Sequence, residues 1–375
     1  WLRGSDALAD VPSGFFDYLA GLTFSGDVWA VREGTPVFAQ EPIVRVTAPI
    51  GEAQLIETAA LAFINFQTSV ASKAARIVAA ADGRSVFEFG ARRAHGLDAA
   101  LFAARSAYLA GATGTSFVEA GRRFAIPLAG TMAHSWVMSA ESEARAFSDY
   151  ARLFGSHSIL LLDTYDTIAA ARWVTSSGLR PGGVRLDSGN LSTLAPRVRE
   201  ILDAGGLHAT KIFASGDLDE FSIAELVSGG VPIDGFGVGT RLVTSEDAAA
   251  LGGVYKLVEI EEDGVRRRVA KRSEGKATWP GCKQVWRVMR DGSAVEDVVA
   301  FADEDPVAGG VPLLCQMMRA GRCVEQGMSL ESARLHRARA VAELASPVRR
   351  LYDPAVYSVL PSAALSSALG TAAVG

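Results

Sequence analysis

The sequence predicts an α/β protein: a parallel β/α barrel with a smaller, split α/β flanking domain rich in antiparallel strands. Three observations carry that expectation. From Ser85 to about residue 250, short apolar strands alternate with helical segments, as chains that build a mostly parallel sheet do. Residues 27–49 read instead as short strands broken by turns, at Gly34-Thr35-Pro36 and Glu41-Pro42. After Ser245 strand text returns without helices, and Asp263-Gly264 between alternating runs marks a hairpin. The boundaries implied are 1–84 and 251–350 for the two parts of the flanking domain, 85–250 for the barrel and 351–375 for a C-terminal tail.

Taken in order, residues 1–26 are helical and mixed, punctuated by Pro12 and Gly14. Residues 52–80 hold no Gly or Pro, and Leu55, Ala59, Phe63, Phe66 and Val70 recur at helical spacing, so one long helix or a helix pair is expected. The barrel strands are expected at 85–89, 115–118, 124–128, 158–163, 183–187, 211–215 and 233–238. Between them, Ala144, Phe147, Ala151 and Phe154 share one helical face, and the helix beginning at Leu191 is closed by Gly205 and Gly206. Further strands follow at 283–290 and 297–302, then a helix near 329–345. Strands 251–302 are expected to rejoin the sheet of residues 27–49. The tail from 355 is weakly patterned and expected to be loose.

Composition excludes several classes of function. With 37 basic and 42 acidic residues the net charge is −5, which gives no electrostatic case for nucleic acid. The longest apolar runs, such as 158–162, are too short for a bilayer span. The three cysteines are odd in number and form no CxxC pair, so a reducing cytoplasm is the expected location. The sequence opens on Trp1 with no initiator Met and no signal-peptide pattern, and is expected to begin inside a longer protein.

In barrels of this kind chemistry sits where strands end. Here those ends carry Arg92 and Arg93, His134, Asp163, Asp187, Gly216-Asp217 and Gly239-Thr240. His134 follows a small-residue turn, Ala129-Gly130-Thr131; it is a nucleophile, a proton shuttle or a core histidine. A carboxylate on one ring nitrogen would leave the other nucleophilic, and Asp163 and Asp166 are the candidates; either Asp163 or Thr164 could instead cap the next helix. Arg185 and Asp187 lie two apart on a strand and so face the same way, a cation for an anionic substrate beside an acceptor for sugar hydroxyls or Mg²⁺. Internal pairing of the two is the plainer alternative. Gly216-Asp217 and Gly239-Thr240 each follow a strand, and exposed N–H groups at such turns make phosphate cradles. There is no GxxxxGK[ST] loop and no HExxH, which leaves out P-loop and zincin chemistry.

The ordered set FEFGARRAH, GTMAHSW, LLLDTYDT, GVRLDSGNL, SGDLDE and FGVGTRL resembles the nicotinate phosphoribosyltransferase family, as do EGTPVFAQEPIVRV and LIETAALAFINFQTSVASKAARI upstream. The resemblance runs from about residue 20 to about 350. It implies the irregular α/β barrel and flanking domain of type II phosphoribosyltransferases. The implied reaction makes nicotinate mononucleotide and pyrophosphate from nicotinate and phosphoribosyl pyrophosphate, coupled to ATP hydrolysis, in NAD salvage. By the same resemblance His134 matches the histidine that ATP phosphorylates. Thr131 and Arg185 match nicotinate contacts, Phe89 the aromatic stacked on the pyridine, and Ser116 stands where nicotinamide-using relatives carry Asp. Asp187 matches a ribose-side carboxylate and Thr240 a phosphate contact, and Arg92 serves phosphoribosyl pyrophosphate; Mg²⁺ accompanies the departing pyrophosphate. A homodimer with shared active sites is implied. The family's N-terminal acidic-aromatic segment, with its stacking tyrosine, has no counterpart before Trp1, so a fragment is expected. Nicotinamide or quinolinate phosphoribosyl transfer, or a truncated non-catalytic homologue, are the alternatives.

Overall fold

The structure, a computed structural model, describes residues 1–271, 278–324 and 327–371. Six short strands form one all-parallel, curled sheet: β1 (Ser85–Glu88), β2 (Gly114–Thr115), β3 (Ile159–Leu161), β4 (Gly183–Leu186), β5 (Lys211–Ala214) and β6 (Gly235–Val238). Their spatial order is β2-β1-β6-β5-β4-β3. The curl is that of a half-barrel, with β2 and β3 at its two edges. Strands buried on both faces read as apolar runs, and Leu160, Leu161, Val184, Leu186, Ile212, Phe236 and Val238 are all fully buried. The helices around them, including Glu57–Ala80, Leu97–Leu109, Thr167–Ser176 and Leu191–Ala204, complete one large core. Each fully buried Leu, Ile or Phe in it contributes about 1.5–3 kcal/mol.

Among the described residues, the flanking part holds two four-stranded, antiparallel-rich sheets and a two-stranded one. Asp27–Val31 pairs with Val44–Thr47 on one side and with Leu314–Arg319 on the other, so residues before and after the barrel share a sheet. Lys283–Arg290 and Ser293–Phe301 form the centre of the second sheet. The Asp263-Gly264 hairpin joins Glu259–Glu262 to Val265–Arg268. An ion-pair group in which Lys73 and Glu220 are buried, Lys73 Nζ to Glu220 Oε2 at 2.6 Å and to Asp247 Oδ1 at 2.7 Å, ties the helix Glu57–Ala80 to the helix Glu220–Ser228 after β5 and to the segment after β6. Among the described residues no helix is long and apolar enough to cross a membrane.

Several expected elements differ. Residues 115–118 and 124–128 are not full strands, because Val118–Phe124 is a helix. Ala125 then turns left-handed (φ 55°) and Pro127 has no N–H to give a ladder, so only Leu128 bridges to Thr115. The helix pair, one of the two forms expected over 52–80, is present, broken at Ile56. Strands 283–301 do not rejoin the sheet of residues 27–49; that role falls to Leu314–Arg319. The tail is not loose: Ser358–Pro361 adds in parallel to Ser293–Phe301 and the helix Ala363–Thr371 follows, while residues 372–375 lie outside the described residues.

Candidate active site

Arg185 sits inside the sheet on β4, and its guanidinium is held at three corners. Nε donates to Ser215 Oγ (2.8 Å), Nη1 to Thr131 Oγ1 (2.8 Å) and Nη2 to Asp187 Oδ1 (2.5 Å). The Ser215 hydroxyl donates its proton to the same Asp187 oxygen at 2.5 Å. Burial pushes the Asp187 carboxyl up, but Ser215, Arg185 and His134 outweigh it and hold the group below its usual value. Asp187 is therefore a carboxylate at neutral pH. The alternative of an internal Arg185–Asp187 pair is thus part of the structure, yet Arg185 also points its edge into a pocket.

His134 is the first residue of the short helix His134–Ser139, and its side chain is 40% exposed. Its Nε2 lies 3.5 Å from Asp187 Oδ2 and its Nδ1 3.2 Å from Thr164 Oγ1. The carboxylate facing His134 is thus Asp187, not Asp163 or Asp166. Asp166 is turned to the N-terminus of the helix Thr167–Ser176, where its Oδ1 accepts the N–H groups of Ile168 and Ala169, both at 2.9 Å. That cap satisfies two otherwise unpaired donors and fixes the side chain away from the ring. Asp163 lies beneath Asp187: its Oδ2 accepts the Asp187 N–H (3.0 Å) and the Ser188 hydroxyl (2.5 Å), while its Oδ1 is buried without a partner.

Beside Arg185 a pocket opens, walled by Phe87, Phe89 and Phe213, by Thr131 and by the Ala129-Gly130 turn. The Phe89 ring centroid is 5.8 Å from the Arg185 guanidinium carbon. Phe89 fits there because β6 presents Gly237: a Cβ at that position would come within 2.6 Å of the ring. The pocket therefore offers a cation and a hydroxyl at one edge and an aromatic face at another.

The remaining expected residues are placed at the same end of the sheet but outside this wall. Ser116 is exposed where the chain leaves β2 for the helix at Val118, its N–H bonded to the Glu88 carbonyl at 3.0 Å. Arg92 is exposed in the single turn Ala91–Arg93. Gly216 (φ 100°) and Asp217 (φ 47°) form the turn after β5, where a Cβ on Gly216 would run into the Asp187 carbonyl oxygen. Gly239 precedes the short helix that Thr240 opens, and Arg241 reaches from it to Asp219 at 3.0 Å, joining the two glycine loops.

Two site residues escaped the sequence reading. Ser215 contacts both Arg185 and Asp187; its only signal is a hydroxyl at the end of a buried strand. Glu88 is fully buried and accepts from Gly90 N and Thr115 Oγ1, both at 2.5 Å, so it joins the Phe89-Gly90 turn to the end of β2. Burial raises its pKa against the pull of those two bonds. A carboxylate between two phenylalanines was the available sign.

The nicotinate phosphoribosyltransferase family profile matches residues 85–278, with the family's N-terminal domain over 1–65 and C-terminal domain over 308–369. The chain belongs to the nicotinate phosphoribosyltransferase family. A nicotinate phosphoribosyltransferase of Mycobacterium tuberculosis (pncB2) is 46% identical over 360 residues, covering 94% of this chain and 76% of that protein. That of Bacillus subtilis is 45% identical over 287 residues, covering 74% of this chain and 58% of its own length. Among solved structures, human nicotinic acid phosphoribosyltransferase superposes with a TM-score of 0.81 at 27% identity, over 97% of this chain and 86% of that one. Nicotinate-nucleotide pyrophosphorylase from Pyrococcus furiosus superposes at 0.74, also at 27% identity, over 87% and 84%. This nicotinate phosphoribosyltransferase family member therefore shares its relatives' barrel-plus-flanking-domain fold along nearly its whole length.

Proposed function

We propose that the chain is a nicotinate phosphoribosyltransferase, joining nicotinate to the ribose of phosphoribosyl pyrophosphate to give nicotinate mononucleotide and pyrophosphate for NAD salvage. The observation that carries this reading is the grouping of Arg185, Thr131 and Phe89 around one pocket. A pyridine carboxylate has a planar ring for Phe89 and an anion for the guanidinium edge and the Thr131 hydroxyl. A carboxamide would gain less from a fixed cation. The pyridine nitrogen attacks the ribose carbon as its bond to pyrophosphate breaks, and developing positive charge on the ribose is a target for Asp187.

ATP coupling is assigned to His134. With the proton assigned to Nε2, on the side of Asp187 at 3.5 Å, the lone pair lies on Nδ1, towards Thr164. An N–P bond would form as the terminal phosphoryl group leaves ADP, and its later hydrolysis would return the free ring. A phosphate there would place negative charge across the ring from Asp187 and bias the Asp187–Arg185–Ser215 network, which gives the coupling a physical route. Gly216-Asp217, Gly239-Thr240 and Arg92 are the groups offered to the phosphates.

For Mg²⁺, the described residues hold no cluster of three or more His, Cys, Asp or Glu side chains placed for a metal. Mg²⁺ commonly uses one or two carboxylates plus substrate phosphates, and Asp163, with its buried unpaired oxygen, fits that lesser demand. When bound, the ion would neutralise charge on the departing pyrophosphate. A cytoplasmic homodimer with shared sites completes the proposal.

The test is nicotinate-dependent pyrophosphate release from phosphoribosyl pyrophosphate, with nicotinamide and quinolinate as competing substrates. Preferential turnover of nicotinate is expected. Acid-labile label from γ-³²P-ATP, lost in His134→Ala, is expected alongside. Release with quinolinate alone would sink the substrate assignment, and turnover without label would sink the phosphohistidine.

A further inference from the structure

Ser215 is matched by no role in the proposed reaction, yet its hydroxyl touches both charged groups of the pocket. It is 5% exposed at the end of β5. Its oxygen accepts from Arg185 Nε at 2.8 Å and its proton goes to Asp187 Oδ1 at 2.5 Å. The Leu186 carbonyl, at 3.5 Å, is a distant alternative acceptor that one proton cannot also serve. Ser215 therefore stands between a guanidinium and a carboxylate that would otherwise meet edge to edge.

Resting on the nicotinate reading above, we infer that Ser215 is a positioning residue: it stops Arg185 from closing side-on upon Asp187 and so keeps the guanidinium edge aimed at the substrate carboxylate. A guanidinium has five N–H donors. Ser215, Thr131 and Asp187 take one each, on three different nitrogens. One N–H then remains on each terminal nitrogen for a ligand's oxygens. Arg and carboxylate prefer two parallel bonds when nothing intervenes. With the Ser215 hydroxyl removed, Nε has no acceptor, and rotation to a two-point grip on Asp187 satisfies it. That rotation withdraws Nη1 from Thr131 and from the pocket, and draws Asp187 Oδ2 from His134. The change falls on nicotinate recognition rather than on the phosphate loops, which lie at Gly216 and Gly239.

The experiment compares KM for nicotinate, KM for phosphoribosyl pyrophosphate and kcat in the wild-type chain, Ser215→Ala and Ser215→Cys, with nicotinate binding read by calorimetry. Thr210→Val serves as the control, because Thr210 is another buried hydroxyl at the far end of β5, bonded to the Pro181 carbonyl at 3.0 Å. Ser215→Ala is expected to raise the nicotinate KM and dissociation constant about tenfold or more, the loss expected for one bond to a charged group. The phosphoribosyl pyrophosphate KM should change by less than about threefold, kcat should fall as Asp187 leaves its place facing His134, and Thr210→Val should lower only the melting temperature. If Ser215→Ala fails to fold, Ser215→Cys decides: the weak thiol bond should leave nicotinate binding measurably poorer. Wild-type nicotinate binding in the folded Ser215 variants overturns the inference, as does an equal rise in Thr210→Val. A wild-type chain that turns over quinolinate but not nicotinate overturns the reading of function instead, and the inference with it.

Discussion

Adding one methyl group at Gly237 should damage nicotinate binding out of proportion to its effect on stability. A Cβ there would sit 2.6 Å from Phe89 Cδ2 and 2.7 Å from Cε2, against ordinary contacts of 3.4–4 Å, and 3.4 Å from Ser215 Cβ. The backbone of β6 cannot retreat, since it is bonded to β1 on one side and β5 on the other. Phe89 must therefore shift by about 1 Å from its place beside Arg185. Crowding of this kind costs about 1–3 kcal/mol of stability. A misplacement of about 1 Å in a substrate-orienting group can cost about 10²-fold in rate, so kcat/KM for nicotinate should fall about 10- to 100-fold, chiefly through KM. Gly205→Ala supplies the comparison. It crowds Thr175 between two helices at the opposite end of the barrel, and should cost similar stability with no change in KM. Steady-state pyrophosphate release and thermal melting of both variants settle the matter. A Gly237→Ala enzyme with wild-type nicotinate KM would refute the assignment of Phe89 and this pocket to the pyridine ring.

Three other perturbations have defined outcomes. Arg185→Lys keeps the charge but replaces a three-cornered fork by a point donor; kcat/KM for nicotinate should fall about 30-fold or more, roughly 2 kcal/mol for the bonded corners lost, and unchanged steady-state kinetics would contradict the role given to its geometry. Lys73→Met leaves Glu220, fully buried, with only Arg76 at 2.9 Å; denaturant unfolding should show a loss of about 3 kcal/mol, as when a buried pair loses one partner. In the flanking part, burial, reinforced by the neighbouring Asp297, pushes the Glu41 carboxyl from 4.5 up to about 8. A raised folded pKa means its stabilisation is complete below about 4.5 and lost as pH rises through about 8. Melting temperature should accordingly drop between pH 5 and pH 8.5, and Glu41→Gln should flatten that drop.

The fold was legible where burial speaks through local pattern. Leu160 and Leu161, Val184 and Leu186, and Phe236 and Val238 are buried in strands of the parallel sheet, so these runs are largely apolar, Arg185 in β4 being the exception. It was illegible where pairing is distant. The Ser358–Pro361 strand gains its partner about 60 residues upstream, at Glu296 to Val299, and nothing in its small-residue composition announces this. Residues 124–128 misled for the opposite reason. Phe, Ile and Leu look strand-forming, but Ala125 and Pro127 deny the ladder its geometry and its donor.

The site divides in the same way. Arg185 and Asp187 were readable because spacing of two on a strand fixes which way both point. Which carboxylate meets His134 was not, because it depends on the order of strands rather than on the sequence around the histidine. The end of β3 lies next to that of β4. Its two consecutive residues divide their work: Thr164 faces His134 Nδ1, while Asp163 fastens the backbone of Asp187. Asp163 thus acts on the ring at one remove, by holding the residue that faces it. The loop at Asp163 and Thr164 does reach His134, but the carboxylate oxygen facing the ring belongs to Asp187. A single strand end can supply a ring contact and its neighbour's support only if the next strand runs parallel beside it, which is a property of the sheet and not of the motif.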